Sequence, residues 1–439
     1  MHRRLPLLFR AIAYELRGGF LIRPFLIALV LGAAGILIST VEQRAPSLAA
    51  WVPWFLLASG HDPQTAQVVL SAIATSIMTV VSIVFAMLLM TLTLASTQFS
   101  PRILISFVRD RATQWTLGVL LGTFSYSIAV LPAVRSLPQP FVPVVSMTGA
   151  MLLALVAVAW LIFFIHHISQ AISVNHIVDR IARDTELVID TMMPHARSGF
   201  ETIDRPVMPD GEGSPILSQR SGYIRFIDVG RLLELAKAWR IRIHVDRGVG
   251  QFVPRGVPLL RVSRENRVSP LGAAELLGAF DIGPSRTLQQ DVEFGVIQIV
   301  DIALRAISPA VNDPSTAISC IDQLSSILIL WCERTPPPSV LYDPPHVPRV
   351  EIPWIGLEGL FNTALDQIRH YAAGDLAVNL RLLRAMDDIA QTTQRHDVHA
   401  ALAGRARLLV ERASQAMLES DAERLRRRLA ALETRLTAA

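Results

Sequence analysis

The chain opens with long unbroken apolar runs and closes with short periodic ones. No charged side chain occurs in residues 24–40, 66–94, 115–134 or 141–165. A spanning helix needs about 20 apolar residues. These runs therefore predict four transmembrane helices over about 22–41, 66–95, 115–134 and 141–165, within a membrane domain at 20–168. The second is long enough to tilt or protrude. Ahead of them "LPLLFRAIAYEL" (5–16) reads as an amphipathic helix within an interfacial segment at 1–19. From residue 176 onward Asp, Glu and Arg are frequent, as in a water-facing body.

Residues 169–215 read as a junction helix followed by a linker rich in Gly, Pro and Ser. "SGYIRFID" (221–228) and "RIRIHVDR" (240–247) alternate as strands on either side of a helix at 229–239. "GVGQFVPRGVPLLRV" (248–262) reads as two strands joined at Pro254-Arg255-Gly256. That hairpin resembles half of a lipoyl-type barrel. The lysine such a carrier modifies is missing, so the module at 216–285 reads as structural.

The rest, 286–439, is expected to be helical. Helices fall at 291–307, after Pro314, and near 356–372, 375–394 and 397–412, with Asp375 as an N-cap. The stretch "TPPPSVLYDPPHVPRVEIP" (335–353) reads as a loop. Leu418, Ala422, Leu425, Leu429, Leu432 and Leu436 make a short heptad seam, which packs within the chain or joins subunits. The fold class is thus a membrane α-helical domain of four transmembrane helices with a cytoplasmic α+β domain, a small β-module followed by a helical bundle.

Composition sharpens this picture. Of 439 residues, 51% are hydrophobic and the mean hydropathy is +0.41, too apolar for an ordinary soluble protein. Arg3, Arg4, Arg10, Arg17 and Arg23 precede the first span, Arg102, Arg109 and Arg111 lie between the second and third, and Arg180 and Arg183 follow the fourth. The other two loops carry only Arg44 and Arg135. The positive-inside rule then puts both termini in the cytoplasm of a multi-pass inner (plasma) membrane protein. Cys320 and Cys332, twelve residues apart on one helix, are about 18 Å apart, too far for a disulfide. Lys237 is the only lysine, and the arginines form no stripe of the kind that binds nucleic acid.

Three groups of polar residues are candidate sites. Ser71, Thr75, Thr79 and Ser82 recur at helical period on the second span; they line a path or pack helices closely. Gln98 and Arg102 in "STQFSPR", with His166 and His176 in "FIHHISQAISVNHIVDR", form a polar face at the membrane junction. In "LRAISPAVNDPSTAISCIDQL" (304–324) Ser308-Pro309 ends one helix, while Asp313 and Pro314 start the next. Asp301, Arg305, Asn312 and Asp313 converge near that corner, as a structural turn or as a site for a ligand. Gly118 and Gly122 in the third span, and Gly32 and Gly35 in the first, read as packing positions.

"ASTQFSPRIL", "LGVLLGTFSYS", "FIHHI" and "DIALRAISPAVNDPSTA" together resemble a family of predicted bacterial membrane proteins, domain-of-unknown-function family 2254. The resemblance covers about 90–325 and implies a bacterial inner-membrane protein without an assigned activity. No nucleophile elbow, phosphate-binding loop, HExxH helix or cysteine metal cluster is present, which argues against an enzyme. No metal or cofactor is indicated. The expectation is a non-enzymatic, homo-oligomeric membrane protein with a regulatory or scaffolding domain. The alternative is an oligomeric channel or transporter whose second span lines the path. Its partners are the lipid bilayer and further copies of itself; any small ligand or ion is unspecified.

Overall fold

The computed structural model describes residues 22–45, 62–98, 111–136, 140–171, 173–193, 207–208, 212–344 and 346–438. The interfacial helix expected at 1–19 and the Arg102 of the junction face lie outside these residues. The chain forms two compact units, Met1–Ser173 and Val174–Ala439.

The charge-free runs become the helices of the first unit: α1 (Ile22–Arg44), α2 (Pro63–Gln98), α3 (Arg111–Val130) and α4 (Val144–Ala171). Asp62 caps α2, accepting from the Thr65 N–H at 3.0 Å and the Thr65 hydroxyl at 2.7 Å. Those two bonds hold the Asp62 carboxyl below its ordinary pKa. The closest packing is between α1 and α3, where a Cβ on Gly118 would stand 2.5 Å from Ile27 Cδ1 and one on Gly122 would meet Leu31. With no water in the bilayer core to drive them together, helices there associate through such close contacts. A buried row on α2 (Ile77, Val81, Val84) packs with Leu117, Leu120 and Phe164 of α3 and α4, and Leu70 on the same helix packs with Tyr126, Val130 and Met147.

The second unit opens with α5 (Val174–Met192). The junction helix expected from residue 169 is not continuous with the span: α4 stops at Ala171 and α5 starts at Val174. Then follow β1 (Ser214–Leu217), β2 (Gly222–Ile227), α6 (Val229–Ala238), β3 (Ile243–Val245), β4 (Phe252–Val253), β5 (Pro258–Val262), α7 (Pro270–Leu277) and β6 (Phe280–Gly283). After α8 (Val292–Ala306) and α9 (Pro314–Glu333), the Pro-rich segment read as a loop forms β7 (Val340–Asp343) and β8 (Val347–Glu351). The remaining helices are α10 (Leu357–Phe361), joined by a π-turn at Asn362–Asp366 to α11 (Gln367–Tyr371), then α12 (Leu376–Thr392), α13 (His396–Ala416) and α14 (Glu419–Ala438).

The strands build two sheets, ordered β1-β5-β3-β8-β7 and β4-β2-β6. The turn at Pro254–Gly256 exists, with Gly256 at φ +83°. Its flanking strands do not pair with each other, however. β4 joins β2 in one sheet and β5 joins β1 and β3 in the other. The barrel-like hairpin is thus a crossover between sheets. The inward positions of both (Ile224, Ile227, Ile243, Leu260, Val350) share one core with Leu232 of α6.

Among the described residues five helices are long and apolar enough to cross a membrane: α1 to α4 and α9. α9 owes its apolar character to its neighbours. Ala317, Cys320, Ile321, Leu324 and Leu328 are buried, and α5, α8 and α12 pack around it. Both cysteines on it are free and buried. α5 is held equally firmly: Ile181, Thr185 and Ile189 are buried, and Gly295 of α8 lets the Thr185 side chain approach its backbone. A Cβ at Gly295 would overlap the Thr185 hydroxyl, with Thr185 Cβ 2.9 Å away. Gly295→Ala is expected to lower stability by about 1–3 kcal/mol through overpacking, and Thr185→Ala to restore part of the loss; thermal unfolding of both variants and the double variant checks this.

The heptad seam of α14 is used within the chain. Ala422, Leu425 and Leu432 are buried where α14 packs on α13 and α12. Asp387 of α12 ties it down, facing Arg435 at 2.7 Å and Arg428 at 3.1 Å.

Candidate functional site

Where α5 ends, a small pocket opens within the second unit, lined by Met192, Met193, Trp331 and Trp354 and by Asp291 and Glu293. The floor is the first turn of α8. Asp291 precedes an apolar run and accepts from the Phe294 N–H at 3.0 Å, the N-cap geometry its position calls for. Its carboxylate is nearly fully buried and needs a cation. Arg286 supplies it as a fork, Nε to Asp291 Oδ2 and Nη2 to Asp291 Oδ1, both at 2.8 Å. The same guanidinium reaches Glu293 Oε2 at 2.9 Å, and its carbon lies 5.6 Å from the Phe294 ring centroid. Thr363 donates its hydroxyl to the other Glu293 oxygen at 2.9 Å.

Burial pushes the Arg286 guanidinium down, but Asp291 and then Glu293 outweigh it, so its pKa is raised and it stays charged. Gly250 closes the lid over this pair. It sits at φ +84°, and a Cβ there would come 2.5 Å from Asp291 Oδ2. Gln290, at the rim, is bonded through both amide ends to Ile227, accepting from its N–H at 2.8 Å and donating to its carbonyl at 3.3 Å. The polar groups of the floor are therefore engaged with one another, and the pocket offers a ligand mainly indole, thioether and proline surface. Among the described residues no group of three or more His, Cys, Asp or Glu side chains is placed to hold a metal ion.

Among the described residues of the first unit, Glu42 is a buried carboxylate that the sequence reading passed over. Glu42, 2% exposed at the end of α1, accepts from the Val145 N–H at 2.8 Å, the Ser146 N–H at 3.2 Å and the Ser146 hydroxyl at 3.1 Å. It caps α4 from another helix, answering the orphan donors of the first turn and the positive end of the helix dipole. The signal was there: between Glu15 and Asp62 it is the chain's sole acidic residue.

The expected site residues fall as follows. Ser71, Thr75, Thr79 and Ser82 all lie on the exposed side of α2, opposite its buried row. Ser71 donates to Gln67 O, Thr79 to Thr75 O and Ser82 to Met78 O, at 2.7–3.0 Å, within their own helix. His166 is exposed on α4 and His176 on α5, with the helix break between them; Gln98 is the last residue of α2. At the corner, Asp313 caps α9 through the Thr316 N–H at 3.1 Å and hydroxyl at 2.5 Å. These bonds lower its pKa. Asn312 takes the left-handed conformation at φ +50°, and its N–H donates to Ser308 O at 2.9 Å. Arg305 and Asn312 are exposed, while Asp301 is half-buried. The corner is a well-formed turn. The Arg286–Asp291–Glu293 group lies at the other end of α8 and was not singled out from the sequence, because nothing local marks Arg286 as the partner of residues five and seven positions on.

Several apolar helices long enough to span a bilayer, followed by an α+β unit, define a membrane protein. The chain belongs to the DUF2254 family of predicted membrane proteins, whose model matches residues 17–388. It is 31% identical over 422 residues to uncharacterised proteins of Mycobacterium tuberculosis and Mycobacterium bovis, a match covering 94% of this chain and 80% of each relative. No solved structure matches it.

Proposed function

We propose that the protein is a non-enzymatic regulator in the bacterial inner membrane, with α1 to α4 as four spans and the second unit as its cytoplasmic sensing domain. The arginine bias of the loops supports this orientation. α9 is left out of the spans because its apolar face is already occupied and Asp322 on it pairs with Arg381. One observation carries the regulatory reading. α5 follows the last span after two residues, is locked into the core with α8 and α9, and ends at the pocket. A small apolar or aromatic ligand between Trp331 and Trp354 would press on the C-terminal end of α5, about 27 Å from the end joined to the span.

Met193→Trp, which fills the pocket from the residue directly after α5, tests the coupling in full-length protein reconstituted in lipid. Hydrogen exchange is expected to change in α5 and also in the last turns of α4. A change confined to α5, or none in either, would contradict regulation.

A second reading, an oligomeric channel, draws on the stripe of α2, whose hydroxyls are all exposed on the lone chain and so would face a path only between copies. In liposomes Thr79→Leu and Ser82→Leu should then alter ion flux. Unaltered flux removes this assignment.

A further inference from the structure

We infer that the end of the cytoplasmic unit at which the chain arrives from α4 rests on the lipid surface, with Val311, Tyr371 and Leu418 seated among the headgroups. The inference builds on the reading of α4 as a span. Helix directions within the unit show which turns share that end. Glu186 of α5 bonds Ser326 of α9 at 2.9 Å, and four residues later Asp190 pairs with Arg334, so the two helices run the same way. The 307–313 corner before α9 is therefore level with Val174. α12 also runs with α9: Asp322 pairs with Arg381, and ten residues on Cys332 feels the charge of Arg395. The turn after Tyr371 thus joins the same end. α13 returns to it, and the Met417–Leu418 link opens α14 there, with Arg407 and Glu433 pairing across the two antiparallel helices at 2.6 Å.

Each of these turns carries a large apolar side chain into solvent: Val311 is 51% exposed, Tyr371 69% and Leu418 75%. Only three residue steps separate Ala171 from Val174, a reach of about 10 Å, so this end stands at headgroup depth once α4 is in the bilayer. Tyrosine favours that boundary because its ring is apolar and its hydroxyl is wet. Charge does not drive the contact. Arg180, Arg183 and Arg305 are offset there by Asp179, Asp184, Asp301 and Asp313. Seating is by apolar insertion and is independent of anionic lipid.

The test uses full-length protein in liposomes with single cysteines at Val311, Tyr371 or Leu418, each carrying an environment-sensitive fluorophore. Leu187→Cys serves as an equally apolar control, 65% exposed and about 20 Å further along α5. Phe163→Cys reports the span itself. With a shallow lipid-borne quencher, the three sites should lose most of their emission, equally in phosphatidylcholine and in mixtures with phosphatidylglycerol, while Leu187→Cys keeps its own. Quenching at Phe163 without quenching at the three sites would overturn the inference and leave the span in place. Quenching that needs phosphatidylglycerol, or shielding from aqueous iodide without lipid quenching, as a second copy would give, would also overturn it. No quenching at Phe163 would overturn the span reading as well.

Discussion

Arg286→Ala is expected to cost the second unit about 3–5 kcal/mol, a large share of an ordinary domain's stability. The cost arises from what is left behind more than from the pair itself. Asp291 has a 3%-exposed carboxylate and Glu293 sits two residues on, so losing the guanidinium strands two negative charges beside an apolar pocket. Arg286→Ala combined with Asp291→Asn should therefore be milder than Arg286→Ala alone. The amide oxygen still caps α8 through Phe294, and one stranded charge is gone. Arg286→Lys should recover little, because an ammonium cannot fork to both Asp291 oxygens and reach Glu293. Urea unfolding followed by tryptophan fluorescence gives the comparison. An Arg286→Ala loss below about 1 kcal/mol would mean that water already reaches the group.

Glu42→Leu carries the second large effect, about 2–4 kcal/mol in the first unit. Its carboxylate is the acceptor for the Val145 and Ser146 N–H groups and the Ser146 hydroxyl. Each donor left buried without an acceptor loses its hydration and gains nothing. Glu42→Gln keeps one acceptor oxygen and should lose roughly half as much. Thermal unfolding in detergent micelles, read by far-ultraviolet circular dichroism, ranks the three proteins. Equal stabilities would show that α4 does not depend on this cap.

The long apolar helices α1 to α4 were legible because a run of about 20 residues without charge reads as a helix long enough to span a bilayer. α9 met the same length and hydropathy test, and only its packing partners account for its apolarity. Caps were legible too. Asp313 and Asp375 sit where a short acceptor must precede an apolar period, and they bond Thr316 and Val378 as expected. Pairing partners were not legible. The alternation of β4 and β5 says that each is a strand but not that they belong to different sheets. β7 and β8 were obscured by prolines, which usually mark a segment as unpaired. Pro348 is tolerated because β8 pairs with β3 only at Val350 and Glu351, while the register shifts beside Tyr342, its partner on β7. The pocket drew one wall each from α5, α8, α9 and the segment after β8, a convergence no local pattern encodes.

The proposed topology places the second unit inside the cell and α1 to α4 in the membrane. Burial raises the native Cys320 thiol to about 12 and Cys332 to about 11, so neither should compete for a thiol reagent. A cysteine placed at the exposed Arg424 of α14 can then be probed in cells with a membrane-impermeant maleimide. Labelling is expected only after the inner membrane is permeabilised; labelling in intact cells would contradict this topology.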